Sequence, residues 1–62
     1  MKRSEVRSLE VGDCLAYENG VMQFTGQVEM INRDNVLVNW TAFKSRDILS
    51  RTSPIWQQVR ML

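Results

Sequence analysis

The sequence predicts an all-β domain, a small barrel of five strands with one short helical turn before the last strand. Three observations predict it. Apolar and polar residues alternate in short runs, turn-forming dipeptides separate those runs, and a chain of 62 residues has room for a single core. We expect residues 1–8 to form an N-terminal arm, which either frays or forms a short helix after Ser4, and residues 9–62 to form the one barrel domain.

The first hairpin is predicted around Asn19-Gly20, because this dipeptide readily takes the positive φ values that a two-residue type I′ turn requires. Such a turn pairs Tyr17 with Met22. Two positions further from the turn, it pairs Leu15 with Phe24, so four apolar side chains share one face. The register that the turn sets and the alternation of apolar residues therefore place the same four side chains on one face.

The second strand is predicted to belong to two hairpins. Its even-numbered residues from 22 to 30 continue the apolar face, and Gly26 is predicted to bend it. A three-residue loop, Arg33-Asp34-Asn35, with its last residue in the left-handed region, closes the second hairpin and sets Met30 opposite Val38. The bent strand then allows the sheet to close into a barrel.

The C-terminal third allows two interpretations. A short strand is predicted over residues 47–50, and Ser53-Pro54 is typical of a helix N-cap followed by proline at the first helical position. One turn of helix over residues 55–58 and a closing strand over residues 59–62 fit this pattern. A fuller C-terminal helix is the alternative.

The segments that carry these predictions resemble the SH3-like small barrels, which include Tudor and KOW-type modules and the plasmid-borne type II dihydrofolate reductases. The resemblance covers residues 9–62 and lies in Leu9-Glu10-Val11-Gly12-Asp13, Gly26-Gln27-Val28, Val36-Leu37-Val38-Asn39-Trp40 and the stretch from Pro54 to Leu62. It implies a binding module, because most members bind peptides, methylated side chains or nucleic acid. The reductases carry Val-Gln-Ile-Tyr where this chain has Asp47-Ile48-Leu49-Ser50, so their activity does not transfer.

The composition argues against catalysis by this chain alone. It has no histidine, and its single cysteine, Cys14, cannot form an internal disulfide. No metal-ligand spacing and no glycine-rich phosphate loop occurs, so we expect no enzyme activity, no cofactor and no metal. The apolar runs are too short to span a bilayer, and the first residues do not resemble a secretory signal, so we expect a cytoplasmic protein without membrane contact.

The distribution of charge suggests a binding surface. The formal net charge is only +1, but cations outnumber acids in the second half of the chain. Phe43 is predicted to lie exposed beyond the third strand, and Trp56 either covers the open end of the barrel or projects outward. The predicted site residues are Arg33, Phe43, Lys44, Arg46, Arg51, Trp56 and Arg60.

Aromatic and arginine side chains together favour nucleic acid or a nucleoprotein assembly as the partner. The alternative is a protein-interaction or regulatory and inhibitory module of the phage or mobile-element type, docking on a host or partner protein. An enzyme assembled at the interface of a homo-oligomer is a third option. A methyl-lysine cage is disfavoured, because Tyr17, Phe24 and Trp40 are predicted to face the core.

Overall fold

A computed structural model describes all 62 residues as one antiparallel sheet with two short helical segments. The elements are α1 (Arg3–Arg7), β1 (Cys14–Glu18), β2 (Gln23–Ile31), β3 (Asn35–Trp40), β4 (Ser45–Ser50), a 3-10 helix (Pro54–Gln58) and β5 (Val59–Met61). The strand order is β4-β3-β2-β1-β5. The all-β class, with five strands and a helical turn before the last, is confirmed. Neither helical segment has the length and apolar character needed to cross a lipid bilayer.

The core lies on one face of the sheet and takes buried side chains from β1, β2, β3 and β5, while the half-buried Leu49 of β4 packs against it. Its nine buried side chains are Val6, Leu9, Leu15, Val28, Val36, Val38, Trp40, Trp56 and Val59. Val6 comes from α1, within the segment expected to be an arm, and is only 2% exposed. The N-terminal residues are therefore anchored on the domain.

The loop between β1 and β2 is longer than predicted. It contains residues 19–22, so that Tyr17 pairs with Phe24 and the two-residue type I′ turn is wrong. The Asn19 side-chain oxygen accepts hydrogen bonds from the backbone N–H groups of Val21 at 3.0 Å and Met22 at 2.8 Å. These bonds stabilise a wider turn. Because the register moves by two residues, the predicted faces of β1 are retained.

The second hairpin also differs from the prediction. The Asn32 side-chain oxygen accepts from the N–H groups of Asp34 and Asn35, and Asn35 does not adopt positive φ. A bulge lies between Val28 and Met30, so Val28 pairs with Val38 and Met30 pairs with Leu37. The extra residue reverses the alternation of faces. Met30, predicted to face the core, instead lies on the outer face with 59% exposure.

The C-terminal third follows the first of its two interpretations. The Ser53 hydroxyl accepts from the Ile55 N–H at 3.3 Å, and Pro54 opens a 3-10 helix. The chain then enters β5, which pairs with β1. The short helix with a closing strand is confirmed, and the fuller helix is wrong.

Candidate functional site

Two of the seven predicted site residues lie apart from the others. Trp56 is 3% exposed, and its indole N–H donates to the Ser50 carbonyl oxygen at 2.8 Å. Its ring packs inside the domain and is not available to a ligand. Arg60 is exposed on β5, opposite Ala16, and lines a shallow depression that contains no other cationic side chain.

Three predicted residues come together near the turn between β3 and β4. Phe43 is 54% exposed, and Lys44 follows it with a φ of 49°. The Arg46 Nε atom lies 2.8 Å from a carboxylate oxygen of Glu29, which stands in the bulge of β2. Lys44 is thus the only cation of this group without an ion pair.

Phe43 belongs to a chain of four aromatic rings at this end of the sheet. Its ring meets Phe24 edge to face, with centroids 4.9 Å apart. Phe24 in turn stacks on Tyr17 at 4.8 Å and meets Trp40 edge to face at 5.1 Å. Tyr17 and Phe24 are half-buried rather than enclosed. The aromatic surface here is therefore larger than the sequence predicted.

The largest concentration of charge lies at the opposite end of β3. A depression of about 310 Å³ is lined by four arginines, and we call it the arginine pocket. The four are Arg3, Arg7, Arg33 and Arg51. They are half of the eight lysines and arginines of the chain, whereas Asp34 is the only one of its seven carboxylates in the lining. The pocket has a formal charge of +3.

The local structure explains how residues distant in sequence meet there. Arg3 and Arg7 are one helical turn apart, so their side chains leave α1 on the same side. Val6 packs into the core and fixes the orientation of that helix. The Asn32 side chain holds the turn that presents Arg33.

Arg51 holds the walls of the pocket together. Its Nε and Nη2 atoms donate to the Asn32 carbonyl oxygen at 3.2 and 3.0 Å, and Nη1 donates to the Val6 carbonyl oxygen at 3.2 Å. These bonds link α1 and the β2–β3 turn to the end of β4. Arg51 therefore has a structural role in addition to its charge, and the orientation of its guanidinium is fixed.

Sequence reasoning placed Arg33 and Arg51 in a binding surface but missed Arg3 and Arg7. The residues at 1–8 were expected to form an arm, so their charges were not combined with those of the barrel. The sequence offered only a weak signal, the spacing of Arg3 and Arg7 around the single apolar residue Val6, which a short helix would place on a different side from the two arginines.

An apolar row crosses the outer face of the sheet. Met30 pairs with Leu37, and Leu37 pairs with Ile48. Met30 is 59% and Ile48 is 73% exposed, and Ile48 lies on the edge strand β4. We call these three residues the apolar row.

Comparisons with protein-family models, with curated proteins and with solved structures found no match. No group of three or more metal-ligating side chains converges in the structure. The arginine pocket, the aromatic rings and the apolar row are the features of the surface that can contact a ligand.

Proposed function

We propose that this protein is a non-enzymatic module that binds nucleic acid through the arginine pocket. The observation that carries the proposal is that half of its cationic side chains, with a single carboxylate among them, line one depression. Guanidinium groups bind phosphate oxygens through paired, charge-assisted hydrogen bonds. The partner is a cytoplasmic nucleic acid, free or in a nucleoprotein assembly.

The charges of the pocket are available to a ligand. The single ion pair of the structure joins Arg46 to Glu29, so none of the pocket arginines forms a salt bridge. Arg3 and Arg7 are like charges at i and i+4, a spacing that destabilises a helix by roughly 0.2–0.5 kcal/mol. A bound anion relieves this repulsion, so the folded protein gains stability when phosphate occupies the pocket.

We propose a second contact with nucleic acid at the end of the sheet that carries the four aromatic rings. Phe43 and Lys44 lie past the other end of β3, whose six residues span about 20 Å. Stacking of one base on an aromatic side chain contributes roughly 1–3 kcal/mol. A nucleic-acid strand that follows β3 then places phosphates at the arginine pocket and a base against Phe43.

The fold is consistent with a binding role. We propose that the likeness to SH3-like barrels is real, because the sheet has five strands and a helical turn before β5 as that resemblance implies. Most members of that group bind other molecules and do not catalyse reactions. Strand order alone defines no ligand, so the ligand is inferred from the pocket.

The direct test is the salt dependence of binding. Fluorescence anisotropy with a labelled single-stranded oligonucleotide should show log K falling linearly with log salt concentration, with a slope of about −2 to −3 for three or four phosphate contacts. A peptide nucleic acid of the same sequence, which has bases but no phosphates, is the matched control and should not bind measurably. A flat salt response, or no binding to DNA or RNA, contradicts the proposal.

The apolar row favours one second candidate, a module that docks on a partner protein. Exposed apolar side chains beside an open sheet edge are typical of such surfaces. Pull-down from lysate treated with nuclease should then recover one stoichiometric protein, and Ile48→Ser should abolish its recovery. Val21→Ser, at a site 92% exposed on the β1–β2 loop, is the control and should leave recovery unchanged. Recovery of nucleic acid alone rejects this candidate.

A further inference from the structure

The arginine pocket is a depression and not a stripe along the surface. Its walls come from three separate parts of the chain, namely α1, the β2–β3 turn and the residues that follow β4. The hydroxyl-bearing residues Ser50 and Thr52 complete the lining. Such a site can surround one phosphate group while the neighbouring phosphates of the strand contact its rim.

Arg51 is already oriented before any ligand arrives. Its three donor nitrogens are each bonded to a carbonyl oxygen of Asn32 or Val6, and each Nη nitrogen carries a second hydrogen that these bonds do not use. Little side-chain entropy is then lost when those hydrogens meet an acceptor. Arg51 supplies a fixed donor at one wall of the pocket.

The remaining three arginines bring unneutralised charge to the same depression. Arg3, Arg7 and Arg33 form no salt bridge, and Asp34 alone offsets them within the lining. A phosphodiester carries one negative charge. A phosphomonoester carries about −1.5 to −2 near pH 7 and presents three terminal oxygens, so it matches the +3 charge and the number of free arginines better.

We propose that the arginine pocket binds a phosphomonoester, the phosphate at the end of a nucleic-acid strand. The inference rests on the proposed nucleic-acid function and specifies which part of the strand the pocket holds. A terminal phosphate has a nucleotide attached on one side only, so it can enter the depression while the rest of the strand stays outside. An internal phosphate must bring a nucleotide on each side past the arginine walls.

The test compares oligonucleotides of one sequence that differ only at their ends. Strands with a 5′-phosphate, a 3′-phosphate or hydroxyls at both ends are titrated by anisotropy. A hydroxyl-ended strand two nucleotides longer is the charge-matched strand, because its two additional phosphodiesters carry about the charge of one terminal phosphate. At least one phosphorylated strand should bind about tenfold more tightly than the charge-matched strand, the effect of one additional charge-assisted contact. Inorganic phosphate at millimolar concentration should abolish that difference.

Two double variants show whether the preference for a terminal phosphate arises from the arginine pocket or from other cations. Arg7→Gln/Arg33→Gln should lose the tenfold preference, whereas Arg46→Gln/Arg60→Gln, with the same change of charge outside the pocket, should keep it. Equal binding of phosphorylated and charge-matched strands overturns this inference and leaves the nucleic-acid function standing. A preference that survives Arg7→Gln/Arg33→Gln also overturns it. Failure of every strand to bind overturns the proposed function itself.

Discussion

Replacing Arg3, Arg7 and Arg33 together with glutamine is expected to lower affinity for single-stranded nucleic acid on the order of 100-fold near 0.1 M salt. Each lost phosphate contact removes roughly 1 kcal/mol, and three contacts give about 3 kcal/mol. The slope of log K against log salt should also become shallower by about 2, since each contact contributes about 0.7. Anisotropy over a salt series measures both quantities.

Arg51 is left intact in this variant because its bonds to Asn32 and Val6 hold the pocket together. The matched control replaces three cations outside the pocket, Lys44, Arg46 and Arg60, with glutamine. Its net charge equals that of the pocket variant, and its affinity should fall less than about tenfold because only the exposed contact beside Phe43 is weakened. Equal losses in the two variants would indicate that affinity depends on net charge, and the arginine pocket would not be the site.

Gly26→Ala is expected to destabilise the fold by about 3 kcal/mol, a large part of the stability of so small a domain. A Cβ atom at this position would lie 2.5 Å from Cε3 of Trp40 and 2.8 Å from the carbonyl oxygen of Asn39. Trp40 packs directly over the glycine, and the backbone oxygen leaves it little room to move. Thermal denaturation followed by circular dichroism should show a melting temperature lower by about 12–24 °C.

Gly20→Ala provides the comparison for this effect. Gly20 has a φ of 88°, but no atom lies within 4 Å of the point that an alanine Cβ would occupy, so alanine there meets backbone strain and no steric contact. Its expected cost is about 1–2 kcal/mol. If Gly26→Ala proves as stable as the unaltered protein, the Trp40 ring does not cover Gly26 and the packing described for this end of the core is wrong.

The adjacency of the first three strands could be predicted from the sequence, whereas the two turns could not. Dipeptide preferences describe backbone conformation alone, and they favoured a tight turn at Asn19-Gly20. In the structure the side chains of Asn19 and Asn32 each accept two backbone N–H groups and thereby set the loop length. Such bonds depend on loop geometry that the sequence does not display.

The bulge in β2 had the largest effect on which face each residue occupies. A period of two predicts that Val28 and Met30 share a face, and a single extra residue between them places Met30 on the outer face. Nothing in the sequence marks Glu29 as the bulged residue. The apolar row exists because of this irregularity, so it could not be predicted.

The candidate site was predicted in part. Charge counting located Arg33 and Arg51, but it could not show that Arg51 is bonded to two carbonyl groups or that Arg46 is paired with Glu29. The largest omission concerned α1. Its only buried residue is Val6, and one apolar residue in a charged segment is too weak a signal to predict a packed helix.

The most direct test of nucleic-acid binding at the arginine pocket is an NMR titration of the ¹⁵N-labelled protein with a single-stranded oligonucleotide. If nucleic acid binds at the arginine pocket, the largest shift changes fall on the backbone amides and side-chain Nε–H groups of Arg3, Arg7 and Arg33, with smaller changes at Phe43 and Lys44. Shift changes centred on Met30, Leu37 and Ile48, or no changes at all, would contradict nucleic-acid binding at the arginine pocket.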